Sequence, residues 1–248
     1  MDAALTASLE DFKKTATQLG EEVAFKHFPQ KLLELQKLIE TTKDPKSPYH
    51  PEHIGTLTDA TVYPPPPPPT QNGKTSKKRK LEEGAELSNT VSDTQHARYP
   101  ETVYANKHLP QLHSVLKKEC EDLIALTDKV KLWISLTMPK IEGGDNFGVQ
   151  IQEEVVSELA RSQESAVNLR DSARNDYLAR AKICAKLIKY PNIEDYAACP
   201  QPHDDNQFYL ARQHLTDLRN LYAVLTDLIH KNIAKIRAPK GNGGMGLY

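Results

Sequence analysis

"IEGGDNFGVQIQEE", Ile141 to Glu154, separates two long runs whose apolar residues recur every three or four positions. After Gly148 no further glycine occurs until Gly241. Gly143 and Gly144, followed by Asp145, Asn146, Phe147 and Gly148, therefore mark a turn between two helices. A connection this short makes the flanking helices antiparallel neighbours. The glycines can supply positive φ, and Asp145 or Asn146 can cap the helix that follows. Phe147 is left over: a turn does not need a large apolar ring beside an asparagine. The loop from Ile141 to Gly148 is thus a candidate contact with another protein.

On the N-terminal side of the loop, Leu112, Leu116, Leu123, Leu126, Val130, Trp133 and Leu136 predict a helix over residues 107–138. It would span about 48 Å, and Pro139 stops it. On the other side, Val155, Leu159, Val167, Leu178, Leu187 and Ile188 predict a third helix. Pro191, and then Pro200 with Pro202, mark its end and a connection. Glu153 and Glu154 would sit in its first turn, where carboxylates favour the helix dipole. A fourth helix carries Leu215, Leu218, Leu221, Leu225, Leu228, Ile229, Ile233 and Ile236, and Pro239 closes it. The tail "KGNGGMGLY" is flexible by composition. The first helix lies over residues 4–41, with Leu5, Leu9, Phe12 and Ala16 on one stripe and Leu32, Leu35, Leu38 and Ile39 on another; Pro29 predicts a kink or break near Phe28. β-branched residues do not alternate over any useful length. The expected fold is all-α: an elongated up-down four-helix bundle with a long disordered insertion between helices one and two.

That insertion, residues 43–100, holds ten of the 17 prolines, six of them in the run Pro64 to Pro69. It cannot bury enough apolar surface to fold alone. Three segments follow: an N-terminal helix (1–42), the Pro-rich linker (43–100), and a three-helix part with the loop and tail (101–248). The linker also carries "KKRKLEE", whose Lys77, Lys78, Arg79 and Lys80 form a compact positive patch suited to the acidic groove of a nuclear import receptor. The proline run reads as a stiff spacer, or as bait for a proline-recognising module.

Across 248 residues, 38% are hydrophobic, 6% aromatic and 26% charged, a balance that suits long helices with solvated faces. The net charge of −1 argues against nucleic-acid binding, which needs a basic excess. Three cysteines, Cys120, Cys184 and Cys199, lack metal or disulfide spacing and read as reduced thiols of an intracellular protein. "MDAALTASLEDFKK" has no signal-peptide core, and no run approaches the roughly 20 apolar residues of a membrane span. No catalytic or phosphate-binding motif is present. His203 beside Asp204 and Asp205 reads as a polar surface turn. No metal site, no cofactor and no enzymatic activity are expected.

"MPKIEGGDNFGVQIQEE" resembles the activation loop of the 11S proteasome activators, the REG family, which typically read Pro-Arg-Ile-Glu-Asp-Gly-Asn-Asn-Phe-Gly-Val before Gln-Glu. "HFPQKLLEL" (27–35), "AKLIKYPNIEDY" (185–196), "LRNLYAVLTDLIHKNIAKIRAP" (218–239) and the terminal Leu247-Tyr248 are similar to further blocks of that family, in the expected order. The resemblance implies a subunit that assembles into a heptameric ring on the end of the 20S proteasome, opens its gate without ATP and cleaves nothing itself. It places tail docking to the α-ring on Met245, Gly246, Leu247 and Tyr248. It places the gate contact on Ile141, Glu142, Gly143, Gly144, Asp145, Asn146, Phe147 and Gly148, with Asn146 foremost. Lys140, Gly143 and Asp145 depart from the family pattern, and paired glycines should loosen the loop.

The basic run Lys77 to Lys80, with Lys182, Lys186 and Lys189, is most similar to the gamma type. That implies a nuclear homoheptamer, with the cytoplasm as a second location. Two rival readings remain: a helical scaffold or adaptor working through Pro64 to Pro69, and an enzyme with an unrecognised site.

Overall fold

The computed structural model describes residues 2–47, 49–56 and 102–240. The proline run Pro64–Pro69, the basic run Lys77–Lys80 and the tail Met245–Tyr248 lie outside the described residues. Every regular element among the described residues is helical: α1 (Ala3–Glu22), a π-helical turn (Val23–His27), α2 (Phe28–Thr41), a 3-10 turn (Pro51–Thr56), α3 (Leu109–Thr137), α4 (Phe147–Lys189), the short α5 (Glu194–Ala198) and α6 (Pro200–Arg237). Four rods result, because α1, the π turn and α2 run on as one. The all-α four-helix expectation holds.

Pro29 does not end the first rod. It occupies the first turn of α2, where a missing N–H costs little. The disturbance falls just upstream: the Phe28 N–H reaches back five residues to the Val23 carbonyl. Pro200 likewise opens a helix where the sequence suggested only a connection. Pro200 and Pro202 sit in the first turn of α6, and α5 alone fills the link from α4. Pro139, Pro191 and Pro239 act as expected, each just beyond a helix end. Residues 42–47 and 49–56 have a defined course as well: Thr42 is buried, His53 Nε2 lies 2.7 Å from the Pro45 carbonyl, and the 3-10 turn packs on α6.

The core is one continuous cluster shared by all four rods. α3 packs on α1, α4 and α6; α2 packs on α6; α4 packs on α6. Its largest members are Trp133, Tyr222, Phe28 and Phe208, with the Phe28 and Tyr222 rings edge-on at 5.6 Å. Cys120 lies among them, and burial pushes its thiol up to about 12, so it stays an inert, protonated core residue.

The apolar stripe of α1 departs from expectation. Ala16 is buried, but Leu5, Leu9 and Phe12 are about half exposed, and every residue from Asp2 to Thr15 is exposed. Gly20 packs on Trp133, one turn before α3 ends at Thr137, whereas about five turns of α1 precede Gly20. The N-terminal half of α1 therefore overhangs the end of the bundle.

Candidate functional site

That same end carries the 141–148 loop. α3 stops at Met138, whose extended backbone (ψ 133°) precedes Pro139. Residues 140–147 are all exposed, Ile141 completely and Phe147 by 59%. The Phe147 ring is thus not folded back into the core. Gly144 takes φ 114°, which a side chain would strain, while Gly143 has a negative φ and open space around it. Only one of the paired glycines is conformationally required. Asp145 Oδ1 accepts from the Phe147 N–H at 3.0 Å and secures the start of α4. Asn146 holds the cap position through its carbonyl, which accepts from Gln150 N–H at 3.0 Å; its amide makes no cap. Pro139, Ile141, Glu142, Asn146, Val149 and Gln150 line a shallow crevice beside the loop. Glu153 and Glu154 fall in the second turn of α4 instead of the first, because the helix already begins at Phe147.

The loop is tied to the place where the tail leaves the bundle. Gly148 is buried against Pro239, and a Cβ at Gly148 would stand 2.0 Å from the Pro239 carbonyl oxygen. Gln152 Nε2 donates to the Ile236 carbonyl at 2.8 Å, fully buried. At the surface Lys240 meets Glu142 at 3.2 Å, and the Lys235 ammonium lies 6.0 Å from the Phe147 ring centre. Arg237 pairs with Glu21 at 2.8 Å and covers the Phe25 ring, which stacks on His230 at 4.7 Å. Nothing in the local sequence announces Gln152, Lys235, Pro239 and Lys240 as partners of the loop. The one signal is a periodicity. Positions 148, 152, 155, 159, 162 and 166 step by four and three along one buried seam of α4, and Gln152 is a long polar side chain on it.

The opposite end holds a second polar cluster. His203, Asp204 and Asp205 are not a surface turn; they lie in the first turns of α6, with Asp204 fully buried. Arg180 donates through Nε and Nη2 to the two Asp204 oxygens at 2.8 and 3.2 Å, and through Nη2 to the Tyr104 carbonyl. Burial opposes the charge on Arg180, yet the bonds to Asp204 outweigh it and hold its pKa above the ordinary guanidinium value. Beside this pair, His203 Nε2 lies 2.8 Å from one oxygen of Asp176, and His113 Nδ1 lies 3.8 Å from the other. Among the described residues no group of three or more metal-ligating side chains forms, and no helix is long and apolar enough to cross a membrane.

Burial lowers the pKa of His113 from 6.5 despite Asp176, with His214 pushing the same way; burial also lowers that of His214, against Asp217. The unfolded chain therefore binds these protons first as pH falls below 6.5. Stability is full above that value and declines beneath it, by at most about 1.4 kcal/mol per pH unit for each imidazole. Urea unfolding should show lower stability at pH 5.5 than at pH 7.5, with a smaller difference in His113→Gln.

One end of this four-rod helical bundle thus joins a displayed loop to the place where the chain leaves the last helix. The chain belongs to the PA28 family of proteasome activators: the family pattern for the PA28 C-terminal region matches residues 102–246. It is 33% identical to proteasome activator complex subunit 3 of Gallus gallus, over all of this chain and 98% of that protein. The expected resemblance to the gamma type agrees with these subunit 3 relatives. Among solved structures, the 11S subunit PA28 of the Plasmodium falciparum proteasome superposes with a TM-score of 0.74 at 29% identity, covering 96% of both chains. The fold also matches, at 12% identity and a TM-score of 0.54, the crystal structure of the yeast 20S proteasome in complex with the activator PA26 from Trypanosoma brucei. The relatives are regulators, in agreement with the expectation that this chain is not itself a peptidase.

Proposed function

We propose that this chain forms an ATP-independent, homoheptameric activator of the 20S proteasome. Its tails, ending in Met245 to Tyr248, dock between α subunits, and the 141–148 loop presses the gate open. The observation that carries this reading is the pinned, exposed loop: α3 and α4 hold both of its ends while Ile141, Asn146 and Phe147 face outward. A preorganised loop can bind an open gate better than a closed one, and only that difference shifts a two-state equilibrium. Single flexible tails bind weakly because ordering them costs entropy; several on one ring act together through effective concentration. The exposed stripe of Leu5, Leu9 and Phe12 supports self-association, since such a surface calls for cover. The basic run Lys77 to Lys80 supports delivery to the nucleus by an import receptor, and the open ring would favour degradation of peptides and unstructured proteins.

The test is hydrolysis of a fluorogenic peptide by latent 20S proteasome. The native protein should stimulate it. Asn146→Tyr should bind and fail to stimulate, and removal of Tyr248 should weaken binding by at least about tenfold once multiplied over the ring. Absence of both binding and stimulation by the native protein at micromolar concentration would overturn the reading.

A further inference from the structure

Two contacts lock the first turns of α4 to the last turn of α6 and the residues just past it, and they fall one helical turn apart. At the lower, Gly148 lets the Pro239 carbonyl come so close that any Cβ would collide with it. At the upper, Gln152 reaches across and donates to the Ile236 carbonyl. That carbonyl needs an outside donor. It lies in the last turn of α6, where the regular partner four residues on is Lys240, beyond the helix end at Arg237 and beyond Pro239. Gln152 therefore serves as a cap on α6 supplied by another helix. Its seam neighbours Val155, Leu159 and Ala166 are apolar and Ser162 is small, so packing alone does not call for a long amide there. The Glu142–Lys240 pair adds a third, solvent-exposed tie between loop and tail root.

We infer that Gln152, together with Gly148, is a positioning residue that sets the height of the 141–148 loop relative to the root of the tail. This rests on the activator reading above. Pro239 and Lys240, from which the tail leaves, keep a fixed place at the end of α6. Through Gly148 and Gln152 that position passes to the first turn of α4, and so to Asn146 and Phe147. Loosening the lock leaves the tail free to bind but lets the loop settle at the wrong level. Docking then persists while opening fails, because a misplacement of about 1 Å is enough to lose a geometry-dependent effect.

The experiment uses full-chain rings of Gln152→Met, which keeps side-chain length and apolar packing but cannot donate. Rings are titrated to saturation against latent 20S proteasome with a fluorogenic peptide. Hydrogen exchange is followed in the free ring. We expect half-saturation within about twofold of native, saturating stimulation reduced at least about fivefold, and faster exchange confined to residues 141–148 and 236–240. Gln152→Leu should give the same pattern, and it decides the matter if Gln152→Met rings do not assemble. If the native ring stimulates and both variants match it at saturation, the positioning role falls and the activator reading stands. If affinity, stimulation and thermal midpoint drop together, Gln152 is only a structural residue and the inference falls equally. If the native ring does not stimulate, the activator reading fails and takes this one with it.

Discussion

Asp204→Ala should destabilise the protein by about 3–5 kcal/mol, the usual cost of removing one partner from a buried ion pair. For a domain of this size the thermal midpoint then falls by roughly 6–20 °C, measured at fixed protomer concentration because association adds to apparent stability. The cause is the residue left behind. Arg180 keeps its charge, is only 8% exposed, and retains the Tyr104 carbonyl, a 3.6 Å contact to Cys184 Sγ and the more distant Asp176 carboxylate. Replacing both members with apolar residues, Arg180→Met with Asp204→Leu, should recover most of the loss, since no stranded charge remains. The cluster lies about 48 Å along α4 from Gly148, so rings still folded at the assay temperature should stimulate as the native ring does. A loss under 1 kcal/mol for Asp204→Ala, or a double variant as weak as the single, would show that the pair does not hold this end together.

The four rods were legible because the chain punctuates them in a code that local chemistry reads well. Pro139, Pro191 and Pro239 lie just past apolar periodic runs, and there proline can only stop a helix. The same letter is ambiguous at Pro29, Pro200 and Pro202, where it occupies a first turn; position relative to a helix start is not visible until the start is known. The loop was legible as a loop, and its motif stood out against a glycine-free background. Its tie to the tail root was not. Gly148 and Pro239 are 91 positions apart by their numbers, and nothing local to either announces the other. Asp204 was hidden for a similar reason: charged letters at a helix start imply solvent unless a distant arginine on another rod is known to arrive. The stripe of Leu5, Leu9 and Phe12 has the period of a core-facing seam, but period reports which face is apolar, not whether this same chain covers it.

Gly20 and Trp133 should behave as one unit in a double-mutant cycle. Trp133→Gly removes one of the largest fully buried side chains together with its Cβ and should cost about 4–6 kcal/mol. At Gly20 a Cβ would lie 2.3 Å from Trp133 Cβ and 2.8 Å from Cγ, atoms at the root of the side chain that cannot swing away. Gly20→Val should therefore force α1 and α3 apart at a cost of about 3 kcal/mol, well above the few tenths that valine's better helix propensity returns. Combined, the two changes should cost less than their sum by about 2 kcal/mol, because the new methyl groups enter space the indole has left. Additive losses would show that the close approach of Gly20 is not what seats the indole. The pair also bears on activation. Gly20 is packed just after the overhanging part of α1, and Trp133 lies one turn before α3 ends at Thr137, ahead of the 141–148 loop. Gly20→Val alone should tilt the overhanging stripe of Leu5, Leu9 and Phe12, so ring assembly by sedimentation should weaken at a temperature where the protomer remains helical.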